Sequence, residues 1–262
     1  GLGRNRVVKV PVDRQGRMQP EAIPPLSPPA IICTQVGNVN TGACDPVGAI
    51  CNRARESKAW VHVDGAFGLW AAASPALAHL TAGMEQADSW ATDAHKWLNV
   101  PYDSGLAFVR DAQALQAAMA ITADYLPTLT DQRNPSDYTP ELSRRARGVE
   151  IWAALRTLGR SGLADLIEST CHHAQHFARE LAAAGYPILN QVVLNQVLVS
   201  FGDAATTQRV IAALQAEGTC WCGSTVWQGQ TAMRISVSSW ATTTADVEKS
   251  VAAIVRVAQQ VK

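Results

Sequence analysis

Between residues 30 and 110 short runs of β-branched and other apolar residues alternate with segments of helical periodicity. Residues 31–36, 60–64, 89–92 and 105–109 read as strands, each bounded by polar or turn-forming residues. After the first, Val47, Ile50, Cys51 and Ala54 share one face of a helix running from Pro46 to about residue 57. Asp45 is the expected N-cap and Pro46 the first helical residue. A helical piece follows Pro75, and ahead of the region the opening residues read as the tail of a helix entering a strand at 7–10, as if the chain began within a domain. Such alternation predicts an α/β sheet with helices on its faces, in which ligands lie beyond the carboxyl ends of the strands.

The pattern changes after residue 121. Residues 121–143 contain three prolines and many polar side chains, and a loop of that length is expected to be functional or disordered. Helical patterns then run from about Arg144 to Gly159 and from Leu163 to Gly185, each stopped by a glycine. Strands at 192–201 and 232–237 flank a helix at 206–217, and a last helix starts after Thr243 or Thr244 with Asp246 and Glu248 in its first turn. Residues 1–143 therefore read as part of an α/β domain that includes the loop, and residues 144–262 as a separate small α+β domain.

Composition narrows the function classes. With 262 residues, a hydrophobic fraction of 47% and 22 cationic against 22 anionic side chains, the chain can build a core and has no basic field for nucleic acid. The apolar stretch 67–80 is interrupted by Gly68, Ser74, Pro75 and His79, so no membrane span or leader is expected. Six cysteines without CxxC spacing argue against a disulfide framework or zinc ribbon and for a reducing cytoplasm. Cys171-His172-His173 with His176 and Glu180 has helical spacing but no second ligand cluster, so no metal is expected there. Gly1-Leu2-Gly3 lacks the third glycine and the preceding strand of a dinucleotide fingerprint.

Two residues carry the candidate chemistry. Asp64 ends the strand His62-Val63-Asp64-Gly65-Ala66, and Lys96 follows another strand in Asp93-Ala94-His95-Lys96, 32 residues later. On residue type alone, Asp64 reads more readily as a cap for the turn at Gly65, and Lys96 as a solvated surface amine. Together, a lysine that can bond an aldehyde and a carboxylate that can hold a pyridine nitrogen protonated are what pyridoxal phosphate requires.

The stretch from Trp60 to Arg110 (WVHVDGAFGLW…ADSWATDAHKWLNVPYDSGLAFVR) resembles the group II pyridoxal-dependent decarboxylases, relatives of aromatic-amino-acid, histidine, glutamate and diaminobutyrate decarboxylases. The resemblance implies a fold-type I pyridoxal-phosphate-dependent transferase, here a partial large domain with a mainly parallel sheet plus the small C-terminal domain. It implies that Lys96 bonds the cofactor, Asp64 holds its ring nitrogen and Ala66 packs against the ring, with His95 and Asp93 beside the phosphate. Tyr125, 29 residues after Lys96 in Ala123-Asp124-Tyr125-Leu126, matches a loop tyrosine that protonates the substrate Cα after carbon dioxide leaves. Phenylalanine at that position marks the aldehyde-forming branch. Arg144, eight residues before Trp152, matches an arginine that grips the substrate carboxylate, a role suited to its bidentate fork.

Two positions depart from the pattern: Gly37-Asn38-Val39 stands where many relatives have Gly-Thr-Thr, so Asn38 or Asn40 replaces a hydroxyl, and Asp93 stands where several have asparagine. The family's ring-stacking histidine and phosphate loop would lie upstream of Gly1. The expected activity is decarboxylation of an L-amino acid by a homodimer. The alternatives are an inactive remnant that serves only in assembly, or a related pyridoxal-phosphate-dependent aldehyde synthase or lyase.

Overall fold

The computed structural model describes residues 3–121 and 132–261. Four strands, β1 (Ile31–Gln35), β2 (Trp60–Asp64), β3 (Ser89–Asp93) and β4 (Gly105–Val109), form a sheet in that order. β1, β2 and β3 are parallel and β4 is antiparallel to β3. The mainly parallel sheet is the one expected. Its register aligns Gln35, Asp64 and Ala91 across the carboxyl ends of β1, β2 and β3.

Alternation along each strand divides the sheet into two faces. Ile32, Val61 and Val63 point toward α1 (Val47–Arg55), whose buried Val47, Ile50, Cys51 and Ala54 close a core with them. The opposite face carries Ile31, Cys33, Trp60 and His62, and Ile31 there remains 57% exposed. Asp64 stands at the end of this open face.

The helix start differs from the sequence expectation. Pro46 is the N-cap of α1, and Asp45 does not cap it. The Asp45 carboxylate turns inward and accepts hydrogen bonds from Met18 N at 2.7 Å, Thr34 Oγ1 at 2.9 Å and Gln35 N at 2.7 Å. Three donors around a buried carboxylate outweigh one end-of-helix amide, because an unpaired buried charge is costly. Residues 7–10 form no strand, and the opening segment contributes only a bridge between Val12 and Met18.

Two elements escaped the sequence reading. The helix α2 (Ala112–Met119), capped by Asp111, has no fully buried residue, with Leu115 and Met119 only half-buried. The strand β6 (Gly223–Trp227) is only half covered along its length. It joins β5 (Gln196–Val199) and β7 (Gln230–Ser236) in an antiparallel sheet ordered β5-β7-β6.

Three helices pack with this second sheet: α3 (Gly148–Ala183), α4 (Ala204–Glu217) and α5 (Thr244–Val261). α3 is broken at Gly159, whose φ of 64° is open to glycine and strained for other residues, in keeping with the predicted stop. Phe177, Leu181, Val199, Leu214, Met233 and Ile254 are central to the C-terminal core. A third cluster joins Trp97 and Leu98 to Leu163, Ile167 and Leu194, so α3 packs on both parts of the chain.

Candidate active site

The turn that follows β2 is tied between the ends of two neighbouring strands. Val36 N donates to Asp64 O at 2.8 Å, Gly65 N to Ala91 O at 2.8 Å, and Asp93 N to Ala66 O at 3.3 Å. Glycine makes this docking possible: a Cβ on Gly68 would lie 2.6 Å from the Val36 carbonyl carbon and 2.8 Å from Gly37 N. Backbone meets backbone there, so no side chain can swing away.

Asp64 is exposed, and its Oδ1 accepts a hydrogen bond from Ala66 N at 3.1 Å. That bond is the turn cap anticipated from residue type, and it leaves the second oxygen without a partner among the described residues. The two readings of Asp64 are thus compatible.

Lys96 reaches the same place from β3. Its Nζ lies 2.6 Å from Asp93 Oδ2 and 5.3 Å from the centroid of the Phe67 ring, which belongs to the turn after Asp64. The neighbouring Trp97 is 1% exposed and donates from Nε1 to Thr170 Oγ1 at 2.8 Å, with Phe67 edge-on at 6.1 Å. A buried anchor on one side and an aromatic face on the other set the direction of the lysine. Its side chain is about one third exposed and ion-paired, so it is not desolvated. Asp93, where several relatives have asparagine, supplies the charge that holds it.

His95 turns toward a different partner. Its Nδ1 sits 2.8 Å from Ser104 O and 3.2 Å from Ser104 N, and its ring stacks at 4.0 Å on Tyr102. The imidazole thereby fixes the return loop after Lys96. Thr92 and Ser104 each bury a hydroxyl with no partner among the described residues, and both flank the Asp93–Lys96 turn.

Asn38 is engaged within its own loop. Its Oδ1 accepts from Asn40 N at 2.9 Å and Thr41 N at 3.2 Å, and its Nδ2 donates to Gln35 Oε1 at 3.0 Å. Gln35 is the register partner of Asp64, so this loop belongs to the same strand-end layer. Arg144 is exposed and makes no ion pair among the described residues. The adjacent arginines do: Arg147 meets Asp103 at 3.0 Å and Glu141 at 3.2 Å, and Arg145 meets Asp103 at 3.6 Å and also Glu150. The Arg147 guanidinium beside Asp103 holds its carboxyl down at about 2. Tyr125 lies outside the described residues.

Phe67, Trp97 and Asp103 are the supporting residues that the sequence reading missed. Each lies within a few residues of Asp64 or Lys96, but only the contacts reveal their role. In the helical His cluster, His173 Nε2 bonds Thr242 O at 3.0 Å and His176 lies 3.7 Å from Glu180. Among the described residues no group of three or more such side chains is arranged for a metal, and no helix is long and apolar enough to cross a membrane.

Comparison with known proteins identifies the family. The pyridoxal-dependent decarboxylase conserved domain matches residues 27–202, which contain both Asp64 and Lys96. The chain belongs to the pyridoxal-dependent decarboxylase family. It is 35% identical over 153 residues to tyrosine/DOPA decarboxylase 5 of Papaver somniferum, a match covering 57% of this chain and 29% of that protein. It is likewise 35% identical over 159 residues to phenylacetaldehyde synthase of Petunia hybrida, covering 59% and 31%. Among solved structures, Oryza sativa TDC with PLP and tryptamine superposes with a TM-score of 0.82 at 25% identity, over 88% of this chain and 50% of that one. The 4-hydroxyphenylacetaldehyde synthase of Rhodiola rosea superposes with a TM-score of 0.86 at 22% identity, over 99% and 58%, which supports the fold. The chain spans about three tenths of the length of the curated relatives it matches.

The cofactor of this family is pyridoxal phosphate. The residues present fit it in kind. An amine, a carboxylate with an open oxygen and a small residue, Ala66, meet at one end of one sheet.

Proposed function

We propose that this chain is the lysine-bearing part of a pyridoxal-phosphate-dependent L-amino acid decarboxylase. The observation that carries the reading is the stitching of the Asp64 turn to the Asp93–Lys96 turn, which brings amine and carboxylate to the same strand ends. When bound, the cofactor supplies the electron-accepting ring that makes loss of the Cα carboxylate possible.

The chain's own residues have distinct tasks. Lys96, released from its ion pair with Asp93, would hold the cofactor through its amine. The open oxygen of Asp64 would hold the ring nitrogen and favour its protonated form. Ala66 leaves room for a flat ring, while His95 and Asp93 border the phosphate. Tyr125 delivers its phenolic proton to the substrate Cα, and Arg144, with no competing ion pair in view, grips the substrate carboxylate. Asn38 shapes the wall at the end of β1.

Relatives named for tyrosine, DOPA and tryptophan support an L-amino acid as the substrate class. The protein works as a homodimer in the cytoplasm, a setting consistent with six free thiols. Residues 1–143 belong to the cofactor-binding domain and 144–262 to the small domain. A second reading, oxidative formation of an aldehyde, draws on the equal identity to the Petunia synthase. Tyrosine rather than phenylalanine at position 125 favours amine formation.

Borohydride reduction of the cofactor-treated full-length protein, followed by peptide mapping, should place the adduct on Lys96. A label on another lysine overturns the assignment. In Tyr125→Phe, amine output should fall and an oxygen-consuming, aldehyde-forming reaction rise. Amine made at the parent rate, with no aldehyde, assigns the proton to another group.

A further inference from the structure

The turn that carries Lys96 closes on Asn99. Its φ of 58° is a left-handed conformation that asparagine adopts more readily than most side chains. Both amide hydrogens are used: Nδ2 donates to Trp97 O at 2.7 Å, within the turn, and to Ser238 O at 2.8 Å, in the link between β7 and α5. Oδ1 accepts from Trp240 N at 3.2 Å. Only this orientation of the amide works, because turning it over would set its oxygen against two carbonyl oxygens. Val100 N also reaches back to Ala94 O at 3.5 Å, which closes the base of the turn.

The link is gripped from the C-terminal side as well. Asn195, fully buried, donates from Nδ2 to Val237 O at 2.9 Å and accepts at its own carbonyl from Val237 N at 3.0 Å. The Trp240 indole is 74% exposed, so Asn99 holds that residue by its backbone.

We propose that Asn99 is a positioning residue for Lys96, whose side-chain amide closes the lysine turn and clamps it to the 238–240 backbone, so that the C-terminal sheet sets where the amine stands.

The role rests on Lys96 being the cofactor lysine. Trp97 anchors the turn on α3 and Asp93 pairs with the amine, while Asn99 holds the point where the chain leaves the turn. Its outer partners lie 139 and 141 residues away in sequence, so these bonds are not a local turn preference. Ordering a turn costs backbone entropy, and three hydrogen bonds from one amide offset that cost at a single residue. A displacement of the 238–240 link is thereby passed to the lysine turn.

Three variants of the full-length protein test the clamp. Asn99→Gly keeps the left-handed backbone and removes the amide. The Trp240 amide should then exchange with deuterium about threefold to tenfold faster, the range that loss of one ordinary hydrogen bond allows. In competitive acetylation without cofactor, Lys96 should react about twofold to threefold faster relative to Lys58 and Lys249, as its partly exposed ion pair with Asp93 loosens. Asn99→Asp retains an acceptor for Trp240 N, so that amide should stay slow. Trp240→Ala removes the indole and keeps the N–H, and should leave Lys96 at the parent rate. With cofactor and borohydride, the rate of labelling at Lys96 should fall in both Asn99 variants, because both lose the two donors.

Unchanged exchange at Trp240 in Asn99→Gly overturns the clamp. Faster exchange with unchanged acetylation of Lys96 overturns its hold on the amine, and unchanged labelling in both Asn99 variants overturns the positioning role. If the parent is labelled on another lysine while acetylation of Lys96 still responds to Asn99→Gly, the cofactor assignment fails and the clamp stands.

Discussion

In the C-terminal sheet, α3, α4 and α5 enclose the inward residues of β5 and β7 so completely that Val197, Val199, Leu214, Met233 and Ile254 are 0% exposed. In the four-stranded sheet α1 covers one face, and the other presents Ile31, Cys33, Trp60 and His62 with Asp64 at its end. Stability and chemistry are therefore distributed unequally. The closed region supplies burial that needs nothing further. The open region carries the amine and the carboxylate, but the dry surroundings that strengthen a pyridinium–carboxylate pair are missing on the Asp64 side.

The sharpest way to break this contrast is catalysis by the 262 residues alone. With Asp64 exposed and three tenths of the relatives' length represented, the chain should release no carbon dioxide from a panel of L-amino acids at saturating cofactor. Its open sheet face should also make it prone to associate. Turnover by the purified, monodisperse chain would mean that the open face is no defect and that the division of the site is wrong.

A same-chemistry pair measures the contrast in energy. Ile254→Ala removes a fully buried side chain from the closed core and should cost about 2–5 kcal/mol. Ile31→Ala removes one that is 57% exposed on the open face and should cost at most about 1 kcal/mol. Denaturant midpoints of the two variants give both values. Equal losses would show that the open face is covered in solution, by a second copy or by association.

Much of the open region was legible because local pattern and chemistry coincide there. β2 and β4 run over the predicted residues, and the Asp64 and Lys96 motifs both fall at the strand ends where a ligand site belongs. What stayed hidden depends on long-range contacts. Asp45 looks like a helix cap until Met18 and Thr34 are seen converging on it. Neither α2 nor β6 contains a fully buried residue, so neither announces itself as a core element. His95 stacks on Tyr102 seven residues away, a contact fixed by the path of the return loop.

Gly68 tests whether the open region's geometry depends on a single backbone approach. Gly68→Ala places a methyl against the Val36 carbonyl and Gly37 N, neither of which is a mobile side chain. A loss of about 1–3 kcal/mol is expected, the scale of overpacking. The Asp64 turn should shift with it, so cofactor labelling of Lys96 in the full-length protein should weaken while the C-terminal core keeps its melting behaviour. An unchanged midpoint together with unchanged labelling would show that the turn is not seated on the 36–37 loop.

The smallest effect concerns how the two regions are held together in acid. Asp103, on the loop after Lys96, is tied to Arg147 at the start of α3, and its carboxyl is lowered to about 2 chiefly by the hydrogen bond from that guanidinium. Asp203 and Asp246 are also lowered, but by bonds to Thr206 and Thr243 within a turn of their own helices. A depressed carboxylate binds fewer protons folded than unfolded, so its contribution is present above the unfolded value of about 4 and is lost as pH falls toward 2. Because Asp103 is fully exposed, the change in stability is small and salt will reduce it. The carboxyl resonance gives a more direct reading than melting. In Arg147→Ala the Asp103 titration should move up toward the ordinary carboxylate range, held short of it by the backbone hydrogen bond and Arg145, while Asp203 and Asp246 stay low. If Asp103 titrates unchanged in that variant, the Arg147–Asp103 ion pair does not persist in solution, and the lysine loop is held to the α3 segment by Trp97 and its neighbours and by Arg145.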